Sequence, residues 1–528
     1  MPWFFDLNGY LPALLPLAWL SAAFIPCLPK LHRQHWLLTQ VFASAAVVLA
    51  FAILATTLHS ATPTHHFPLL AADSLSAVMV LMTSLVGWSI LRFSRNYIDG
   101  EPGRLRFTLW FSLTLTSVTV LVLASHLAVL ALAWLATSLS LHRLLVFYPD
   151  RAKALLAAHK KFLVSRLADI MLVTGFVLIA QGLGSADIAM INERLQAGAG
   201  NGALGLEVAA VLIVLAAALK SAQLPFHGWL IQVMEAPTPV SALLHAGVVN
   251  MGGYLLIRLS PLLEATQFAV WLLLAIALAT VAIASLVMMT RISIKVMLAW
   301  STTAQMGFML LECALGLYHL ALVHLVAHSF YKAHTFLSSG QAPMQSLIRR
   351  GSNEVGRPRP AIWVLALSAG LGIFMLGHYV FGKPITMATL LTGAVLVTAV
   401  ASLLAELGGA LGHAGWRKAL AASFAITGAY LLAEQIFGGV VPASAMPPAP
   451  SAFLLAAGVL ALLLVARAHI MHRPEARLWQ RVRPLLFNGL YLDEAFTRIT
   501  FTLWPPKPRA RREQPEPAPI YPDEGVSS

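Results

Sequence analysis

Apolar runs of about 20 residues, the length a helix needs to cross the hydrocarbon core of a bilayer, recur along the whole of this chain. They fall near residues 10–28, 36–58, 72–91, 107–124, 126–142, 167–182, 206–224, 238–257, 267–290, 296–311, 317–339, 361–380, 386–407, 419–436 and 452–466. Lipid offers no partner to a free N–H or C=O, so a spanning segment has to be a helix or a strand of a closed barrel. Continuous apolar runs, rather than alternating ones, select helices. The expectation is an all-α polytopic membrane protein with about 13–15 transmembrane helices. Composition agrees: 58% of the 528 residues are hydrophobic and 11% charged, where soluble domains carry about 25% charged residues.

Basic residues set the orientation, because short cytoplasmic loops are enriched in Lys and Arg. The segments after odd-numbered runs hold Lys30 and Arg33; Arg92, Arg95, Arg104 and Arg106; Arg143, Arg151, Lys153, Lys160, Lys161 and Arg166; Arg291 and Lys295; Arg349, Arg350, Arg357 and Arg359; Arg417 and Lys418; and the stretch from Arg467. Those after even-numbered runs hold only Arg194, Arg258 and Lys383. The alternation predicts a multi-pass protein of the cell inner (cytoplasmic) membrane, with its N-terminus outside and its C-terminus in the cytoplasm. Loops facing anionic lipid headgroups also account for the net charge of +13, which excludes nucleic acid as the partner that charge serves.

The start MPWFFDLNGYL has no basic region ahead of its apolar run, so the first span is expected to stay in the protein. Residues 1–468 are expected to form the transmembrane domain, 469–504 an amphipathic, interfacial cytoplasmic segment, and 505–528 a disordered Pro-rich tail. The sequence contains no phosphate-binding Gly loop, dinucleotide fingerprint or nucleophile elbow. Cys27 and Cys313 belong to no CxxC or Cys/His ligand pattern, so no metal or cofactor is expected in this chain.

Charges stand inside the apolar runs. Lys220 ends a long apolar stretch in LEVAAVLIVLAAALKSAQLPFHGWL. An ammonium near mid-bilayer costs about 2.5–3.5 kcal/mol, which marks it as functional. Arg166 and Asp169 share one face of the sixth run at i, i+3. His245 lies in the eighth run, and the eleventh, VHLVAHSFYKAHTFL, aligns His324, His328 and Lys332 at i, i+4 and i+8. Histidine and desolvated lysine take up and release protons near neutral pH, so these groups form a candidate proton or cation path. Pro225, Pro237 and Pro239 are expected to break the helices beside Lys220, freeing backbone groups as at the ion sites of transporters. Glu235 stands at the edge of that break, placed to gate it or pair with it. The same residues have plainer readings: Arg166 with Asp169 as a structural ion pair, and His324 with His328 as hydrogen-bonding glue or, lacking a third ligand at suitable spacing, an incomplete metal pair.

LKSAQLPFHGWLIQVMEAPTPVSALLHAG (219–247) resembles the central signature of the antiporter-like subunits of respiratory complex I and of multisubunit sodium/proton antiporters. DSLSAVMVLMTSLVGWSILRFSRNYIDGEP (73–102), KFLVSRLADI (161–170) and VHLVAHSFYKAHTFL (323–337) resemble the third, sixth and eleventh spans of that family, and NGLYLDEAF (488–496) the stretch after its last span. The resemblance implies two inverted five-helix repeats with discontinuous helices. By motif, Lys220 is similar to the central proton-carrying lysine and His245 to the adjacent relay position. His324, His328 and Lys332 are similar to the bridge between half-channels, Asp169 to an acid of the sixth span, and Lys383 in YVFGKPITM is the nearest counterpart of the second-repeat lysine.

Two departures narrow the branch. In the family a Trp-Glu pair on the fifth span supplies a glutamate to the lysine; here Leu135 follows Trp134, leaving Asp169 as the remaining acid. ALAWLATSLSLHRLLVFYPD and LLHAGVVNMGGYLLIRLSPLL resemble the membrane subunits of the DAB inorganic-carbon accumulation systems, which work with DabA, a cytoplasmic zinc protein similar to β-carbonic anhydrases. The resemblance implies a non-enzymatic transport subunit that conducts H+ or Na+, with zinc and the conversion of CO2 to bicarbonate assigned to the partner. The alternatives are a proton-pumping subunit of an NADH-quinone oxidoreductase and a subunit of a multisubunit Na+/H+ antiporter.

Overall fold

The computed structural model describes residues 3–59, 64–67, 69–200, 202–341, 360–382, 385–441, 444, 449–473 and 475–507. It is almost entirely helical: α1 Trp3–Phe24, α2 His35–His59, α3 Ser74–Tyr97, α4 Arg104–Leu123, α5 Leu127–Leu145, α6 Ala152–Leu183, α7 Ile188–Gln196, α8 Leu204–Lys220, α9 Gly228–Gln232, α10 Thr238–Ala246, α11 Met251–Arg258, α12 Ser260–Glu264, α13 Gln267–Met288, α14 Ile294–Ala314 and α15 Tyr318–Leu337. Then come α16 Pro360–Val380, α17 Met387–Gly438, α18 Pro450–His472, α19 Arg477–Phe487 and α20 Leu492–Leu503. One short antiparallel hairpin, β1 Thr64–Phe67 with β2 Leu70–Ala72, has no counterpart in the all-helical expectation.

Twelve segments of the described residues are long and apolar enough to cross a membrane, against the expected 13–15. Each coincides with one of the fifteen apolar runs. The other three runs coincide with α8, α14 and α15. The first is only 17 residues long, and the other two fall short in hydropathy because they carry the polar and ionisable groups described below. Burial orders the bundle from centre to rim. The stretch Thr238–Arg258 is 94% buried and Pro450–Ile470 only 11%, so His245 sits at the axis and α18 at the periphery.

The helical run α17 doubles back on itself. Gly393 packs against Phe374, while Gly377, one turn further along α16, packs against Leu431 and Thr427. In a straight helix residues 393 and 431 would stand about 57 Å apart, so the chain reverses between Gly393 and Thr427. This leaves two antiparallel spans, Met387–Ala405 and Gly415–Gly438, flanking α16. Ala366, Ala401, Leu404 and Ala419 close that small core.

Two expectations are corrected. Lys160 and Lys161, read as loop residues, lie inside α6, which begins at Ala152, and both side chains are buried. Hydropathy alone cannot place them, because their charge is met by protein partners rather than water. Pro239 does not break a helix: it occupies the first turn of α10, where its fixed φ and missing N–H cost nothing. The axial span is instead interrupted at Gly247, where a 3-10 turn, Val248–Asn250, separates α10 from α11. Lys383 and residues 508–528 of the tail lie outside the described residues.

The segment after α18 does not stand apart from the bundle. Gly489 packs on Trp300, the Arg291 guanidinium donates to the Leu486 carbonyl at 3.3 Å, and Phe496 meets Phe226 edge to face at 5.8 Å. At its far end the Trp504 ring stacks on His159 at 3.9 Å. The α19–α20 strap therefore crosses from the α13–α14 turn over α9 to α6.

Candidate ion path

Helix α8 stops where its lysine begins the break. Ser221 is the C-cap, Ala222 takes a left-handed φ of 52°, and Pro225 carries no N–H to continue a ladder. Local side chains satisfy the released backbone groups: the Leu224 amide donates to Thr280 Oγ1 at 3.3 Å and Gln223 Nε2 donates to the Ser221 carbonyl at 2.9 Å. Gly252 permits the close approach of α11 to this end, since a Cβ there would overlap Ser221 Oγ and the Ala217 carbonyl. Lys220 is thus fixed at the tip of a half-helix, 4% exposed.

Its ammonium lies 4.3 Å from the centre of the Trp134 ring and donates to Ser138 Oγ at 2.9 Å. Lys161 donates to the carbonyl of the same Ser138 at 2.7 Å, so two buried lysines meet on one residue of α5. Like charges this close repel, and one acid, Asp169, lies within electrostatic range of both. Asp169 also forms the expected i, i+3 ion pair with Arg166 at 2.7 Å. Leu135, where the family places its glutamate, contributes no charge.

A second group is built around α10, α14 and α15. His245 stacks on Phe336 at 4.3 Å and meets Thr302 Oγ1 at 3.0 Å through Nδ1. Thr302 spends its only proton on the Leu298 carbonyl at 3.0 Å, so His245 is the donor to Thr302 and its Nε2 is the open nitrogen. Lys332 donates to the same Leu298 carbonyl at 3.2 Å and to Ser301 Oγ at 2.8 Å, so Thr302 and that carbonyl link His245 to Lys332. One turn back along α15, both ring nitrogens of buried His328 lack a hydrogen-bond partner among the described residues. The His324 ring follows at 6.1 Å and meets Glu312 Oε2 at 3.1 Å.

Between the groups, Asn250 donates to Ser329 Oγ at 2.7 Å, while its own Oδ1 and the Oε1 of Gln223 are buried without partners among the described residues. Orphaned buried oxygens of this kind are normally met by water, the carrier a proton relay needs between fixed side chains. Glu235 is half-buried in the 3-10 turn Val233–Glu235, beside Leu145, Ala154 and Gln232. Among the described residues no three His, Cys, Asp or Glu side chains are placed to hold a metal.

Sequence reasoning missed Lys161, Glu312 and the pair that anchors the strap. Lys160 donates to Asp493 Oδ2 at 2.6 Å, Gln232 Nε2 donates to the same oxygen at 3.0 Å, and a Cβ on Gly228 would overlap the carboxylate. The signal for Asp493 was present in NGLYLDEAF, an acid within an apolar helix face, but its partner stands 333 residues away.

Residues 124–408 match the model for the NADH:quinone oxidoreductase/Mrp antiporter transmembrane family, and residues 68–108 match the N-terminal model of complex I chain 5. The structure is similar to a chain of the Mrp complex from Dietzia sp. DQ12-45-1b, with a TM-score of 0.64 and 24% identity, covering 93% of this chain and 59% of that one. Fold and family together define a multi-pass, antiporter-like, proton-conducting membrane subunit. The chain is also 42% identical over 448 residues to "Probable inorganic carbon transporter subunit DabB2" of Halothiobacillus neapolitanus, covering 82% of this chain and 80% of that one. It is 38% identical over 436 residues to "Probable inorganic carbon transporter subunit DabB" of Hydrogenovibrio crunogenus, covering 82% and 83%. It belongs to the DabB family of inorganic carbon transporter subunits.

Proposed function

We propose that this chain is the ion-conducting subunit of an inorganic-carbon accumulation complex of the inner membrane, energising a cytoplasmic zinc protein of the DabA type. Protons run inward through His324, His328, Lys332, His245, Lys220 and Asp169, and their fall in free energy biases the partner toward converting CO2 to bicarbonate. One observation carries the reading. Lys161, Lys220 and Lys332 are all buried, and the acceptors that hold their ammonium groups are hydroxyls and carbonyls, not carboxylates. A lysine held this way passes on a proton without stranding a buried carboxylate, whereas a tightly paired one is locked. Coupling further requires a partner whose states differ in energy with the protonation of the path.

Reconstitution tests the reading. Bicarbonate accumulation in vesicles should need this chain, the zinc partner and an ion gradient together. Accumulation by this chain alone, or accumulation that survives an uncoupler, would refute it. Proton and sodium gradients imposed separately decide the ion. Lys220→Ala should abolish accumulation while the membrane level of the protein stays near normal; parallel loss of both would make the lysine structural.

A further inference from the structure

Among the described residues, Glu312 is the one buried carboxylate, at 7% exposure, and it faces the imidazole at the end of the His324–His328–Lys332 stripe. It stands two residues before the end of α14, next to the Leu315–Leu317 turn that leads into α15. The same end of the bundle holds the start of α3 at Asp73 and the end of α11 at Arg258, which pair with each other. The α19–α20 strap, docked beside α9 and the start of α6, closes the opposite end. The line of ionisable side chains thus runs from one end of the molecule toward the other and stops at Glu312.

We infer that Glu312 is the terminal proton-transfer group of the path, exchanging protons between His324 and the membrane face away from the strap. The inference rests on the conduction reading above and extends it by one residue and one direction. Glu312 and His324 form a carboxyl–imidazole couple, in which a proton taken up by the carboxylate passes from Oε2 to the ring at Nδ1 over a 3.1 Å contact. The carboxylate, returned to its starting state, takes up the next proton at the α14–α15 turn, and the ring gives up a proton from Nε2. His328, with neither nitrogen committed, receives the proton from the ring. Cys313 adjoins Glu312 in sequence, and Tyr430 and Glu434 of α17 lie on the same side of the bundle within electrostatic range of one another. The couple is therefore set among polar groups rather than lipid. Its residue type also fits the imbalance of the interior: Lys160, Lys161, Lys220 and Lys332 are buried, and an entry acid gathers protons ahead of a lysine-rich line.

The test uses the complete complex in vesicles, with proton flux read by a pH-sensitive dye. Glu312→Gln should lower flux by at least roughly tenfold at normal membrane level, because a positioned proton-transfer group contributes on the order of 10²–10⁴ in rate. Glu312→Asp should restore part of it. A second readout separates proton exchange from a fixed ion pair. The membrane-permeant reagent dicyclohexylcarbodiimide adds to protonated carboxyls buried within membrane proteins, so peptide mapping should find its adduct on Glu312 with flux lost in proportion. Wild-type flux in Glu312→Gln, or a loss of flux without any adduct on Glu312 in the native protein, overturns the inference. Lys220→Ala is the control for the underlying reading: if it too conducts normally the path itself is wrong, whereas if it alone fails only the assignment of Glu312 is.

Discussion

Ser138 offers its hydroxyl to Lys220 and its carbonyl to Lys161, so one residue of α5 sets the position of two buried ammonium groups. Ser138→Ala removes the first acceptor and leaves the second. A hydrogen bond to a charged group is worth about 1.5–3 kcal/mol, and 1.4 kcal/mol is about tenfold in a rate. The initial rate of bicarbonate uptake at matched membrane level should therefore fall about tenfold or more, with Ser138→Thr close to wild type. An unchanged rate in Ser138→Ala would mean that Trp134 alone holds Lys220. The sequence made Lys220 legible because a single charge interrupts a long apolar run. It hid Lys161, because the start of α6 contains several basic residues and reads as a loop until the folded protein buries two of them. Glu312 was hidden for the opposite reason. One acid near the end of an apolar helix looks like an interfacial group, and only its approach to His324 across two helices gives it a role.

The break after Lys220 and the strap that covers it act as one element. Asp493 accepts from Lys160 and Gln232, and Gly228 leaves room for the carboxylate. Removing one partner of a buried ion pair costs about 3–5 kcal/mol, while replacing both by apolar groups costs much less. Asp493→Asn should therefore lower the melting temperature of the purified protein and expose the strap to trypsin at Arg498, and Lys160→Met should recover part of the loss. Gly228→Ala should mimic Asp493→Asn, because its Cβ occupies the carboxylate's place, and the two substitutions together should cost little more than either alone. Additive effects would mean that the strap is held elsewhere, for instance by Trp504 on His159. At this scale the discontinuity at Pro225 was readable from local sequence rules. The interruption at Gly247 was not, because glycine is common in membrane helices and nothing local distinguishes one that kinks from one that packs.

Across the whole molecule, apolar runs located the helices well because the bilayer fixes both their length and their type. Tertiary relations such as the reversal within α17 or the return of the strap to α6 come from packing between distant segments, which carries no local signature. The expected orientation has a direct check in the two native cysteines. Cys27 is exposed beyond α1 and Cys313 is buried. A membrane-impermeant maleimide should label the protein once, at Cys27, in inside-out vesicles and leave it unlabelled in right-side-out cells; the reverse pattern would invert the topology. The docking of α20 carries one more consequence, for biogenesis. Lys160 enters the membrane in a helix made more than 300 residues before Asp493, so during synthesis its charge has no counter-ion in the chain. The ribosome completes the electrostatics of the early helices only by delivering a late one, and a product cut short before α20 would leave the insertion machinery holding an unpaired cation, a direct mark for membrane quality control.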